Sequence, residues 1–314
     1  MKIFLLRLMQ FSIVAFLVIC FLGTELSEPE EFNYVGAIVA KHNRLESLTG
    51  RRIILAGGSN LAFGIDSKRI EDEIKIPVVN LGLHAGLGLD FILNELKSVV
   101  TEGDIVFLSP EYYAGKGRYN LQMASAGYFP PANSYFERNL LYDLKHFFDR
   151  KFDNMKVNKT FLVTQLMSKV LGRQPSKSVY ANTSFNTYGD VVAHLKMKAP
   201  PSLNDRNRLA YDYWDGIEKI NEASEKIMLN GADIFFLYPC YAQSAYTLNR
   251  ETLSDLDVDL RRDLRIPILN SPHQLVYPDS LFFDTVYHLN KTGRDLRTTK
   301  LLKTIKELLL AESI

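Results

Sequence analysis

A serine at position 59 follows an apolar run and two glycines, Ile53-Ile54-Leu55-Ala56-Gly57-Gly58-Ser59. A serine placed directly after a buried strand stands at the carboxyl edge of a sheet, where backbone N–H groups can hold an anion. Its hydroxyl becomes a nucleophile once a base takes its proton. The same residue would also serve as a helix cap after a tight glycine turn, since serine is a favoured N-cap. What tips the balance lies near the other end of the chain, where positions 282–290 read FFDTVYHLN. His288 is a base, and Asp284 is a carboxylate that can fix the tautomer of an imidazole. Alone, a histidine before a helix is commonly a surface or capping residue. Ser59, His288 and Asp284 together supply the nucleophile, base and acid of acyl-transfer chemistry.

Those residues need a scaffold, and the surrounding pattern predicts one. The run ending at Gly57 reads as a buried parallel strand, followed by an amphipathic helix over 66–74 and a second apolar run at 77–83. A helical stretch at 87–100 leads through the turn at Glu102 and Gly103 to a third strand, DIVFLSP. This alternation is the signature of a parallel sheet with crossover helices. It is interrupted at 113–205, an insertion after the third strand that reads as a lid or partner-binding element, helical over 135–171 and turn-rich over 180–190. The pattern then resumes with a long helix at 206–230 ended by Gly231 and a fourth strand from Ile234. A helix at 251–264, a short fifth strand from Ile266 and a last helix at 290–311 complete it. The predicted fold is a three-layer α/β/α domain over 51–314 with five parallel strands and a mainly helical insertion over the catalytic edge.

Composition narrows the classes. With 46% hydrophobic residues in 314, the chain can bury a large core, and 37 Lys and Arg against 36 Asp and Glu leave no electrostatic footprint for nucleic acid. Cys20 and Cys240 lie in unlike contexts, which argues against an internal disulfide. The N-terminal segment 1–23 holds an uncharged run from Leu8 to Gly23, with Lys2 and Arg7 before it and Glu25, Glu28, Glu30 and Glu31 after it. Extended back to Ile3, it has about the 20 residues a bilayer crossing needs, and the charge asymmetry places the N-terminus in the cytoplasm. A cleaved signal peptide is the rival, though the flank lacks a small-x-small cleavage site. Residues 24–50, polar and weakly patterned, read as a juxtamembrane stalk. The glycines at 82, 86 and 88 spell no dinucleotide fingerprint, no phosphate loop is present, and the histidines have no zinc spacing, so neither cofactor nor metal is expected. His84 could line the site or be a turn residue without a role. Tyr112, Tyr113, Tyr119, Tyr128 and Phe129 could stack on sugars or pack the insertion on the core, and Arg294 and Arg297 read as a solvated helix face.

The motifs resemble those of the SGNH/GDSL hydrolase superfamily. Gly57 to Asn60 (GGSN) is similar to its nucleophile block, Asn80 to Gly86 (NLGLHAG) to its second glycine block, and Asp284 to Asn290 to the block carrying its acid and base. VVNLGL and VFLSPEYY resemble the branch of D-alanyl-lipoteichoic acid biosynthesis esterases and alginate O-acetyltransferase relatives. The resemblance implies a flavodoxin-like fold and an anchored, extracytoplasmic esterase or O-acyltransferase. It also implies a small acyl group, an acylated envelope polysaccharide as substrate, and possible partnership with a membrane O-acyltransferase. A non-catalytic scaffold keeping the same fold, binding that acyltransferase or a glycan, is the alternative. Two positions depart from the family pattern. The family acid lies three residues before the histidine, and Asp284 lies four before; Asp279 or a Ser-His dyad are the other arrangements. The third block lacks the family's oxyanion Asn and reads SPEY at 109–112, so the resemblance leaves the oxyanion to the N–H groups of Ser59 and Gly86, with the Asn60 side chain as a further donor.

Overall fold

The computed structural model describes residues 2–22, 30–139 and 178–312, together with 141–143, 145, 158, 163 and 166. Three helices come first: α1 (Lys2–Leu22), α2 (Glu30–Val35) and α3 (Ile38–Ser47). Strand β1 (Ile53–Gly57) runs into α4 (Ser59–Gly64) and α5 (Ser67–Ile74), then β2 (Val78–Asn80), α6 (Leu89–Val99), β3 (Ile105–Ser109) and α7 (Tyr119–Tyr128). Beyond the insertion come α8 (Gly216–Leu229), β4 (Asp233–Phe236), β5 (Tyr241–Ala242), α9 (Gln243–Asp263), β6 (Val276–Tyr277) and α10 (Lys291–Glu312).

The main sheet is parallel, in the order β2-β1-β3-β4, with Ile54 opposite both Val79 and Val106. Every residue of β1 and β3 is buried, because helices cover both faces and leave no solvated side to favour polar alternation. Successive side chains point to opposite faces. Ile54, Ala56, Val106 and Leu108 pack with apolar residues of α6, α8 and α9. Ile53, Leu55, Ile105 and Phe107 pack with Leu61 of α4, Ile70 of α5 and Leu301, Leu302 and Ile305 of α10.

Among the described residues the sheet has four strands rather than five. The segment 266–270 meets the end of β4 through a single bridge, Phe236 to Ile268. Pro267 has no N–H to extend a ladder, and beyond the bridge the Asn270 side chain accepts the Tyr238 N–H at 2.7 Å in place of backbone. A separate two-stranded parallel pair joins β5 and β6.

The stalk expected at 24–50 is corrected from Glu30 onward. Helices α2 and α3 belong to the domain: Phe32, Tyr34, Val35 and Ile38 pack with Phe63, Leu83, Leu121 and Val179 in a second core under the insertion. Lys41 is buried too, its ammonium donating to the carbonyls of Asn80, Gly82 and Gly189 at 2.8, 2.8 and 2.6 Å. The long helix predicted at 206–230 begins only at Gly216, since tertiary partners claim the earlier backbone: Asn249 accepts the Leu209 N–H and donates to the Asn207 carbonyl. Arg294 and Arg297 are buried rather than solvated, at 4% and 2% exposure. Most of the helical reading at 135–171 lies outside the described residues. In α1, consecutive apolar side chains such as Leu8, Met9, Phe11, Ile13, Val14 and Phe16 are exposed. Among the described residues no helix is long and apolar enough to cross a membrane.

Candidate active site

The turn that presents Ser59 is built on two close approaches. A Cβ at Gly57 would lie 2.1 Å from the Ser109 carbonyl oxygen, so only glycine lets β1 end this near β3. A Cβ at Gly58 would lie 2.0 Å from Glu111 Oε2. Gly58 is extended, and Ser59 begins α4 half-buried, with no intrahelical acceptor for its N–H. Asn60 pins the turn from behind: its Nδ2 donates to the Ser109 carbonyl at 2.9 Å, while Arg297 donates to its Oδ1 at 2.8 Å and its carbonyl at 2.7 Å.

His288 is held by a tight loop closed by a bridge between Phe282 and Leu289 and by the Phe283 N–H donating to the His288 carbonyl at 2.7 Å. Inside it, Thr285 Oγ1 accepts the N–H groups of Tyr287 and His288, both at 3.2 Å. The backbone of Asn204 brackets the loop, donating to Asp284 and accepting from Val286. This turn spans the four positions from Asp284 to His288. Asp284 Oδ1 lies 2.8 Å from His288 Nδ1. Asp279 is committed elsewhere, accepting the Ser244 N–H at 2.9 Å.

Two residues without a sequence signal complete the surroundings of His288. Tyr180, from the insertion, donates its hydroxyl to Asp284 Oδ2 and lies 3.3 Å from His288 Nδ1. Phe63 carries the imidazole flat on its ring, with centroids 3.9 Å apart and planes 5° from parallel. Because Phe63 is one helical turn beyond Ser59, the imidazole covers the face of α4 on which the serine stands. Burial works to raise the pKa of the Asp284 carboxyl, but the hydrogen bond and charge of His288, then the Tyr180 hydroxyl, outweigh it and hold the group below its usual value. Burial first, then the negative charge of Asp284, pushes the Tyr180 phenol far up, so it remains a donor.

Of the donors expected at the oxyanion, the Asn60 side chain and the Gly86 N–H are engaged elsewhere, and among the described residues the Ser59 N–H is not. The Asn60 side chain is spent on Ser109 and Arg297. The Gly86 N–H donates to His84 Nδ1 at 2.8 Å. Burial, then the charge of Arg118, lowers the His84 pKa to about 4, so at neutral pH the ring is uncharged and free to accept. The Asn60 N–H donates to Glu111 Oε1 at 2.9 Å. The Ser59 hydroxyl also points to that oxygen, at 3.5 Å, the outer limit of a hydrogen bond, and among the described residues it makes none to His288. Catalytic hydrogen bonds are often long before substrate binds.

The other residues singled out have structural roles. Tyr112 packs edge-on against Tyr241, and Tyr119, Tyr128 and Phe129 pack on the core of α2 and α3. His42 bonds Glu95 at 2.8 Å, and His194 donates to the Leu289 carbonyl behind the His288 loop. Among the described residues no cluster of His, Cys, Asp or Glu could hold a metal ion. Comparison with models of protein families returns no match to the chain, and comparison with curated proteins returns none. The chemistry of the site carries the reading.

Proposed function

We propose that the chain is a serine esterase or O-acyltransferase. The observation that carries this reading is a carboxylate-held imidazole, with Asp284 Oδ1 2.8 Å from His288 Nδ1, stacked on the residue one turn beyond Ser59. His288 takes the Ser59 proton through Nε2 as Oγ attacks an ester carbonyl, and returns it to the departing alcohol. The acyl-enzyme then passes its acyl group to water or to a sugar hydroxyl. Asp284 keeps the proton of the neutral imidazole on Nδ1 and balances the imidazolium that forms.

The proposal extends to family and place. Short motifs support membership of the SGNH superfamily, with 266–270 as the remnant of a fifth strand in a flavodoxin-like frame. An acylated envelope polysaccharide is the proposed substrate, and a membrane O-acyltransferase the proposed partner. The run at 8–23 is proposed as a single-pass anchor with the folded domain outside the cytoplasm. It is supported by apolar side chains exposed on all sides of α1 and by basic residues before the run and acidic ones after. A reporter fused after Gly50 should be active outside the cytoplasm; activity confined to the cytoplasm refutes the topology.

One observation favours a second reading, a non-catalytic scaffold: the Ser59 hydroxyl turns to Glu111 and not to His288. A fluorophosphonate probe on the purified protein separates the two. An activated Ser59 is labelled and a Ser59→Ala variant is not, whereas a scaffold resists the probe.

A further inference from the structure

Glu111 stands two residues beyond the end of β3 and has no part in the proton relay described above. The residue is buried, with 6% exposure, and among the described residues Oε2 has no hydrogen-bond partner. Oε1 takes the Asn60 N–H at 2.9 Å and the Ser59 hydroxyl at 3.5 Å. The carboxylate fills the space left by the missing side chain of Gly58. Burying an unpartnered carboxylate oxygen is costly, so the stability of Glu111 alone does not account for its place. Its position matters because the N–H groups that open α4, those of Ser59 and Asn60, are the backbone donors beside the nucleophile and can serve the oxyanion of acyl transfer. Glu111 holds that of Asn60.

We propose that Glu111 is an internal occupant of the oxyanion site and limits how fast Ser59 is acylated. The inference rests on the serine-hydrolase reading and deepens it. A substrate carbonyl oxygen and the Glu111 carboxylate compete for one donor, and a carboxylate left in place repels the negative charge developing on that oxygen. The same carboxylate draws the Ser59 proton away from His288. Acylation therefore waits on the Glu111 side chain turning out of the pocket, after which the serine hydroxyl is free to meet the imidazole.

The test measures fluorophosphonate labelling rates of the purified full chain. In that reaction a bond forms between Ser59 Oγ and phosphorus, the P–F bond breaks, fluoride leaves and the serine proton passes to His288. Glu111→Ala should be labelled faster than wild type by about a hundredfold to a thousandfold, the scale of one oxyanion donor. Added acetate should slow Glu111→Ala by refilling the vacated place and leave wild type unaffected, a response that a purely structural role would not give. Glu111→Gln gives a second route, since the amide keeps the shape of the side chain and removes the charge that repels the oxyanion. It too should be labelled faster, and it decides the matter if Glu111→Ala fails to fold. If wild type is labelled on Ser59 and the folded variants are labelled no faster, the inference fails and the hydrolase reading stands. If none of the folded proteins is labelled, both fail.

Discussion

Asp284 and Tyr180 divide the work of holding His288. Asp284 contributes one oxygen to the imidazole and gives its other to the phenol of Tyr180. Asp284→Asn should lower kcat roughly a thousandfold or more in ester hydrolysis by holding the wrong tautomer toward Ser59. Asp279→Asn should leave kcat unchanged, since an asparagine oxygen still accepts the Ser244 N–H. Tyr180→Phe should lower kcat about tenfold with KM unchanged, because the lost bond of about 1 to 2 kcal/mol orients the acid and does not touch substrate. Ser59, Asp284 and His288 were legible in the sequence because their types and their places next to predicted strand and helix ends are local facts. Tyr180 was not: it lies more than 100 positions from Asp284, in a turn-rich stretch whose fold only tertiary contacts decide. Glu111 lies in the run SPEY at 109–112, but a carboxylate folded back on Asn60 leaves no trace in spacing.

At the scale of elements, buried charges join the insertion to the frame of the candidate site. Asp190, fully buried, accepts from the Ser67 N–H and hydroxyl at 3.0 and 2.6 Å, from Asn80 at 2.9 Å and from Arg294 at 3.2 Å. Four segments meet on one carboxylate. Asp190→Ala should destabilise the protein by about 3 to 5 kcal/mol in urea unfolding, since it strands a buried guanidinium and several donors. Helix α5 was readable because its signals are local: Asp66 accepts the Arg69 N–H at 3.2 Å, and an apolar face follows. Helices α2 and α3 were hidden for the opposite reason. Their few apolar residues sit among charged ones, and Lys41 and His42 look like surface until Gly189 and Glu95 come in from far along the chain. Arg294 and Arg297 misled in the same way, as their partners Asp190 and Asn60 lie more than 100 residues earlier.

Across the whole molecule, Lys41 couples folding to pH. Three carbonyls receive its protons, yet burial dominates and pulls its pKa down to about 7, with Asp190 and Glu95 opposing the shift. The unfolded chain, with an ordinary lysine, binds more protons than the native state from about pH 7 to about pH 10, so native stability rises with pH across that window. Between pH 7 and pH 8 the gain from this group should be about 1 kcal/mol. Urea unfolding at the two pH values should show it, and a Lys41→Met variant that still folds should lack that increment.

The docking of α2 and α3 on the domain also sets how far the protein can reach. A stalk of 27 free residues would span up to about 90 Å, whereas the seven positions between Leu22 and Glu30 allow only about 25 Å. With the proposed anchor in place, the domain is leashed to within roughly its own radius of the lipid headgroups. Its search for substrate is then two-dimensional, confined to a thin layer above the bilayer. Under the proposed esterase or acyltransferase reading, ester groups carried close to the membrane lie within its grasp, and those farther out on the same polymer must be brought down to it.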